Sequence, residues 1–278
     1  MPVVGDMADD ASVARTISAA LDAFGGDEMD VLVLNHAMQY WGWLLGDDDS
    51  EGGSDDPDDL DHHADTTTML QHRDPRLGRT SAHVSFASMD KMVRVNFLSF
   101  VKLATLATPA LARGAVSRRA GGVTSSDNND IINNNKHARG RIIVVSSGGG
   151  KVTVPLQSLY SGAKHALHGF FDSFRLELEH KQLPVTVTNI ILGATATEAF
   201  AKNTQDTVAW PPPCPADEAA MAIVRAGEVG LEERYYPLSQ TLHISPLLRS
   251  LVGVRWAIDR ITLLTLGGRN MLLSPFLS

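Results

Sequence analysis

The sequence predicts an α/β fold, a doubly wound parallel sheet with helices on its faces, and three observations carry that prediction. Unbroken apolar runs recur, as in "VLVL", "RIIVVSS" and "VTVTNIIL", and such runs suit strands buried on both faces. Between them lie stretches whose apolar residues return at three- or four-residue steps, the period of helices. The two kinds of segment alternate along most of the chain, the pattern of strand–helix–strand units rather than of a bundle or a sandwich.

The elements follow in order. Residues 2–4, "PVV", read as a short first strand. Asp10 or Ser12 can then cap a helix carrying Val13, Ile17, Leu21 and Phe24 on one stripe, which Gly25 and Gly26 stop. "DVLVLNHA" is the next strand and its exit turn, and a helix is expected over "SMDKMVRVNFLSFVKLATLATPAL". The strand "RIIVVSS" ends in three glycines, Gly148 to Gly150, which let the chain leave the sheet tightly. A helix from about Ser158 to His180, the strand "VTVTNIIL", a helix around "DEAAMAIVRAG" and a short aromatic segment "ERYYPL" complete the alternation. Two polar, non-periodic segments, 46–83 and 114–140, interrupt it and read as mobile surface insertions in one domain spanning 1–278.

At 278 residues and 44% hydrophobic content, the chain can build one large core. Its net charge of -8 is local, because eight Asp and one Glu lie between Asp47 and Asp61, and the remainder carries +1. Charge therefore makes no case for a nucleic-acid partner. Within that acidic stretch Asp47, Asp49, Glu51, Gly52 and Asp58 match calcium-loop positions, but Pro57 sits where an exit helix should begin, so a solvated loop is the reading. His62 and His63 are adjacent, a poor spacing for metal ligands, and no metal is expected. Cys214 is the single cysteine, which excludes an internal disulfide and suits a buried thiol. The first ten residues lack the basic and apolar regions of a signal peptide. No run reaches the roughly 18 apolar residues of a spanning helix.

The chemistry points to residues 146–164. Tyr160 and Lys164 are four apart, hence on one helical face, and a lysine ammonium beside a phenol draws the phenol pKa down from its usual value. Ser147, thirteen residues before the tyrosine, ends a buried strand, where open α/β sheets hold their ligands. The pair alone is unspecific; its conjunction with the serine, with "LVLNHA" and with "VNF" is not. His165 and His168 read as helix-surface residues, Trp41 and Trp43 as packing or substrate-side loop residues, and Phe170, Phe171 and Phe174 as core or dimer contacts. No Gly-x-Ser-x-Gly elbow supports a serine hydrolase.

These residues resemble the short-chain dehydrogenase/reductase family, whose fold is of the Rossmann type, over roughly Val3 to Tyr236. "NHA" stands for the family's Asn-Asn-Ala-Gly turn, with His36 in place of an Asn and Met38 in place of the Gly. Asn96, Ser147, Tyr160 and Lys164 match its catalytic tetrad, and "LGATATE" matches the segment around the nicotinamide, with Leu192 for the usual Pro. Within the family the 11β-hydroxysteroid dehydrogenase type 1 group is similar in "VVSSGGGKVTVP", "YSGAKHALHGFFDSFRLELE" and "EERYY".

The resemblance implies an NAD- or NADP-dependent oxidoreductase that interconverts a secondary alcohol and a ketone, a small apolar or steroid-like compound. Tyr160 would exchange the proton, Lys164 would lower its pKa and hold the nicotinamide ribose, Ser147 would orient the substrate oxygen, and Asn96 would hold a relay water. Asp6 and Met7 would edge the adenine, Asn35 would border the cofactor, and Gly193, Thr195 and Thr197 would lie along the nicotinamide and pyrophosphate. The family's opening strand, glycine-rich turn, helix and second strand, its first β-α-β unit, have no counterpart in this sequence. NAD and NADP are not separated without them, and the "DVLVL" strand is expected to expose one edge unless "PVV" pairs with it. A homodimer is the implied assembly. The apolar, arginine-bearing segment from Ser245 onward reads as a pocket cover or dimer element, with a membrane surface as its sharper alternative. The compartment is then the cytoplasm or the endoplasmic reticulum membrane. The rival reading is a catalytically silent, dimerising interaction protein.

Overall fold

The computed structural model describes residues 2–23, 26–39, 44–47, 73–74, 78–82, 84–121, 139–152, 157–198, 200 and 213–237. The readings for Trp41, Trp43, His62, His63, residues 48–58 of the acidic segment and the segment from Ser245 fall outside them.

Among the described residues the main sheet has four parallel strands: β1 (Val31–Leu34), β5 (Gly140–Ser147), β6 (Val185–Leu192) and β9 (Glu233–Tyr236), in that spatial order. Helices link each pair: α2 (Phe86–Val93) and α3 (Ser99–Gly121) between β1 and β5, α4 (Ser158–His180) between β5 and β6, and α5 (Ala216–Val229) between β6 and β9. Helix α1 (Asp10–Ala23) precedes β1. Two short strands, β7 (Thr195–Ala196) and β8 (Cys214–Pro215), pair beyond β6.

Alternation of side chains gives the sheet two different faces. Leu34, Ile142, Val144, Val185 and Val187 meet Val13 and Ile17 of α1, Phe100, Leu103, Ala107 and Leu111 of α3, and Leu167, Phe171 and Leu178 of α4. On the opposite face Ile143 and Ile190 pack against Ala226 of α5, with Leu192, Ile223 and Leu231 around them. That cover stops short of β1, whose Val31 and Val33 are 42% and 49% exposed. The helix from Phe86 to Ala120 is long and apolar enough, by composition, to cross a membrane. Here Phe100, Leu103, Ala107 and Leu111 line the first face of the sheet.

Four local expectations are corrected. Residues 2–4 form no strand, and Val4 is 94% exposed; among the described residues β1 pairs with β5, and the three apolar residues do not join its other edge. Asp9 caps α1, accepting from Ser12 N at 2.9 Å, while Ser12 itself is buried. Helix α3 continues to Gly121, eight residues into the segment read as an insertion, because Ala115 is fully buried and Arg113 donates to Asp27 O at 2.9 and 2.7 Å. The segment 46–83 contributes strands β2 (Leu45–Asp47), β3 (Arg73–Asp74) and β4 (Gly78–Ala82), a small antiparallel sheet. Between α2 and α3 the chain makes a π-helical turn, Arg94–Leu98.

Candidate functional site

The register of the main sheet brings the carboxyl ends of its strands to one edge. Ser147 is opposite Leu192, and Leu192 is opposite Tyr236. Asn35 and His36 leave β1 and Gly193 leaves β6 at this same edge. An open parallel sheet gathers its loops and free amides here.

Ser147, Tyr160 and Lys164 meet there. Tyr160 and Lys164 sit one turn apart on the buried stripe of α4, with 8% and 2% of their surfaces exposed. The Ser147 side chain shares a hydrogen bond with the Tyr160 hydroxyl. A Cβ placed on Gly149 would lie 3.6 Å from both Ser147 Oγ and Tyr160 Cε1, so the glycine turn is wedged between serine and phenol. Ser147 also accepts from Gly149 N at 3.2 Å. Lys164 Nζ lies 5.7 Å from the Tyr160 ring centroid and 3.4 Å from Val145 O.

The electrostatics run against one expectation. Burial raises the Tyr160 pKa above its ordinary 10.0, opposed only by the hydrogen bond with Ser147, rather than drawing it down. Burial also pushes Lys164 down, to about 8. The spacing foretold the neighbours but not how dry they are: desolvation disfavours both phenolate and ammonium. Near neutral pH the site therefore holds a protonated phenol beside a charged lysine.

Asn96 is completely buried at the π turn. Its Oδ1 accepts from Met38 N at 2.9 Å and its Nδ2 donates to Met38 O at 2.7 Å. Both polar ends of the side chain are committed to the loop after β1, so its amide clamps that loop. His36 lies on the same loop, with Nε2 2.6 Å from Ser99 Oγ.

His168 is a second correction. It is 6% exposed, on the stripe shared by Tyr160 and Lys164, with Nε2 3.0 Å from Ser146 Oγ. His165 is exposed, as expected, with Nδ1 2.8 Å from Ser161 O. Gly150 lets His168 in: a Cβ there would meet His168 Nε2 at 2.7 Å and Lys164 O at 2.9 Å. Gly150→Ala should cost about 1–3 kcal/mol by overpacking and displace α4 beneath the site, seen as a lowered urea midpoint. Lys151, next in the chain, ties the glycine turn to β9 through Glu233 at 2.6 Å.

Burial lowers His36 and His168 to about 4, helped by the charge of Lys164 for His36 and of Lys151 for His168. In the unfolded chain both bind protons near 6.5, so the unfolded state gains protons first as pH falls. Stability is thus complete above pH 6.5 and is lost between about 6.5 and 4. Urea unfolding at stepped pH should show this loss, reduced in His168→Gln.

The remaining predicted residues stand outside this cluster, some of them at the same sheet edge. Gly193 N donates to Tyr236 O at 2.9 Å, Thr195 Oγ1 to Gly193 O at 3.3 Å, and Thr197 Oγ1 accepts from Phe200 N at 3.1 Å, which fixes the loop after β6. Cys214 is buried, with Sγ 3.8 Å from Thr195 Oγ1. Asn35 is exposed. Asp6 is exposed and accepts from Ala8 N at 2.9 Å, while Met7 packs partly on the main core. Among the described residues no group of three metal-ligating side chains occurs.

Sequence reasoning missed Phe100. It is fully buried, its ring is 5.0 Å from Lys164 Nζ, and it follows Asn96 by one helical turn, a spacing visible in the sequence.

Residues 129–208 match the family model "short chain dehydrogenase". The chain is 30% identical over 239 residues to a hydroxysteroid 11-beta-dehydrogenase 1-like protein of Gallus gallus, covering 84% of this chain and 60% of that protein. The protein of the same name from Xenopus tropicalis is 30% identical over 235 residues, with the same coverage. This chain thus spans 60% of the length of those relatives. Among solved structures, a short chain dehydrogenase from Burkholderia cenocepacia in complex with NADP superposes with a TM-score of 0.56 at 19% identity, covering 94% of this chain and 80% of that one.

Proposed function

We propose that this chain, which belongs to the short-chain dehydrogenase family, reduces an apolar ketone to a secondary alcohol, with Tyr160 as the proton donor. The carrying observation is the geometry of the site: a buried Tyr160 hydrogen-bonded to Ser147, with Lys164 Nζ 5.7 Å from its ring centroid, in surroundings whose dryness favours the neutral phenol. A neutral phenol beside a cation is a loaded acid.

The residues fit the nicotinamide end of a dinucleotide. Among the described residues Lys164 Nζ has one oxygen acceptor, the long 3.4 Å contact to Val145 O, which leaves N–H donors for ribose hydroxyls. The loop from Gly193 to Thr197, fixed at the same sheet edge, would flank the ring. When bound, the reduced nicotinamide supplies the hydride that goes to the carbonyl carbon. Ser147 orients the carbonyl oxygen through its hydroxyl. The Tyr160 O–H proton passes to that oxygen as it gains charge, and the phenolate left behind is held by the Lys164 ammonium until it is reprotonated from solvent. In the reverse direction the same groups take the proton from an alcohol. The names of the relatives favour a steroid-like substrate.

The test is a titration with NADPH and with NADH, followed by melting temperature and by ketone-dependent oxidation of the nucleotide. A ligand at a hundred times its Kd adds about 2.7 kcal/mol, so one of the two should raise the melting temperature and be consumed when ketone is added. No stabilisation by either and no consumption would instead support the silent interaction protein.

A further inference from the structure

We propose that Phe100 is a positioning residue for the Tyr160–Lys164 pair, its ring face carrying the Lys164 ammonium in place of a carboxylate. This rests on the reading of those two residues given above and adds the group that keeps the lysine charged.

Lys164 is 2% exposed, and among the described residues no carboxylate pairs with it. One long contact to Val145 O is a weak return for burying an ammonium. Two aromatic faces supply the rest: Phe100 with its centroid at 5.0 Å and Tyr160 at 5.7 Å. Both lie within the roughly 6 Å over which a ring quadrupole attracts a cation, and the attraction is largest where water is excluded.

The nearer ring is also the better fixed. Phe100 is fully buried, and the His36 ring packs against it at 4.3 Å. His36 is in turn held at 2.6 Å by the hydroxyl of Ser99, the residue before Phe100. Asn96, one turn earlier, clamps the loop that carries His36. The "NHA" loop and the "VNFLSF" helix thus lock a ring beneath the lysine. The other titratable groups facing the ammonium are Tyr160 and His168 from α4 and His36 from that loop, and burial keeps all three neutral near pH 7.

A purely space-filling phenylalanine would be indifferent to the electron density of its ring. The experiment therefore replaces Phe100 with 4-fluoro-, 3,5-difluoro- and 3,4,5-trifluorophenylalanine, which drain the ring face with little change in volume. Lys164 is titrated in the nucleotide-free 278-residue chain through its ε-carbon signal in 13C-lysine-labelled protein, assigned by its loss in Lys164→Met. The midpoint, about 8 in the unmodified protein, should fall stepwise along the series. By the trifluoro form it should have dropped roughly one pH unit, a tenfold loss in proton affinity, with ketone reduction at pH 7.5 declining in step. The monofluoro protein alone gives a partial shift if the heavier variants do not fold. A flat midpoint across the series overturns the proposal, as does a graded midpoint that turnover ignores. Failure of the catalytic reading itself would show separately, as unchanged turnover in Tyr160→Phe.

Discussion

Tyr160→Phe should lower ketone reduction by roughly 10²–10⁴-fold, the range expected when a positioned general acid is removed. The ring stays, so the packing of α4 is kept. Among the described residues the hydroxyl's partner is Ser147, and Ser147 retains its contact with Gly149 N at 3.2 Å. The loss in stability should therefore stay near 1 kcal/mol, that of one hydrogen bond. A large fall in turnover with a nearly unchanged urea midpoint separates a chemical role from a structural one. Equal turnover in both proteins would take Tyr160 out of the mechanism.

Lys164→Met should do the opposite to stability while also removing activity. Burial pulls Lys164 from its ordinary 10.5 down to about 8, which means that the fold strains against the charge. A folded pKa below the unfolded one signifies that below pH 8 the folded chain carries a proton it would rather shed. Methionine fills similar volume without that charge. At pH 7 the variant should be more stable by about 3 kcal/mol, on the order of 5–10 °C in melting temperature for a chain of this size. Turnover should drop by roughly 10²-fold or more, since the developing phenolate loses the cation that faces it. Higher stability with lost activity is the mark of a residue kept for chemistry at the expense of the fold.

Strands β5 and β6 and helices α1, α4 and α5 were legible because each is long, periodic and bounded by turn residues. The meeting of Ser147, Tyr160 and Lys164 was legible too, since strand ends and one-turn spacing place neighbours without tertiary information. The end of α3 was not. "GAVSRR" looks like a loop, and tertiary contacts, among them the burial of Ala115, the grip of Arg113 on Asp27 and the pairing of Arg118 with Asp30, carry the helix through it. Three apolar residues near the start could not form a strand without a partner strand beside them. His168 shares a face with Tyr160 and Lys164, so its burial was implicit in the spacing, but a histidine in a charged helix reads as surface. The least legible feature was the sign of the Tyr160 shift. Spacing shows that a cation is near; only the structure shows that water is not.

The measurement that bears most directly on this account is the stability of the wild type and of Lys164→Met by urea unfolding from about pH 6 to pH 10.5. If Lys164 is buried and charged at neutral pH, the variant is more stable by a constant amount below about pH 8, on the order of 3 kcal/mol. Above that pH the folded lysine has released its proton while the unfolded one still holds it, so the wild type gains stability and the gap closes between about 8 and 10.5. Parallel curves across the whole range, or a wild type that is the more stable protein at pH 7, would contradict it.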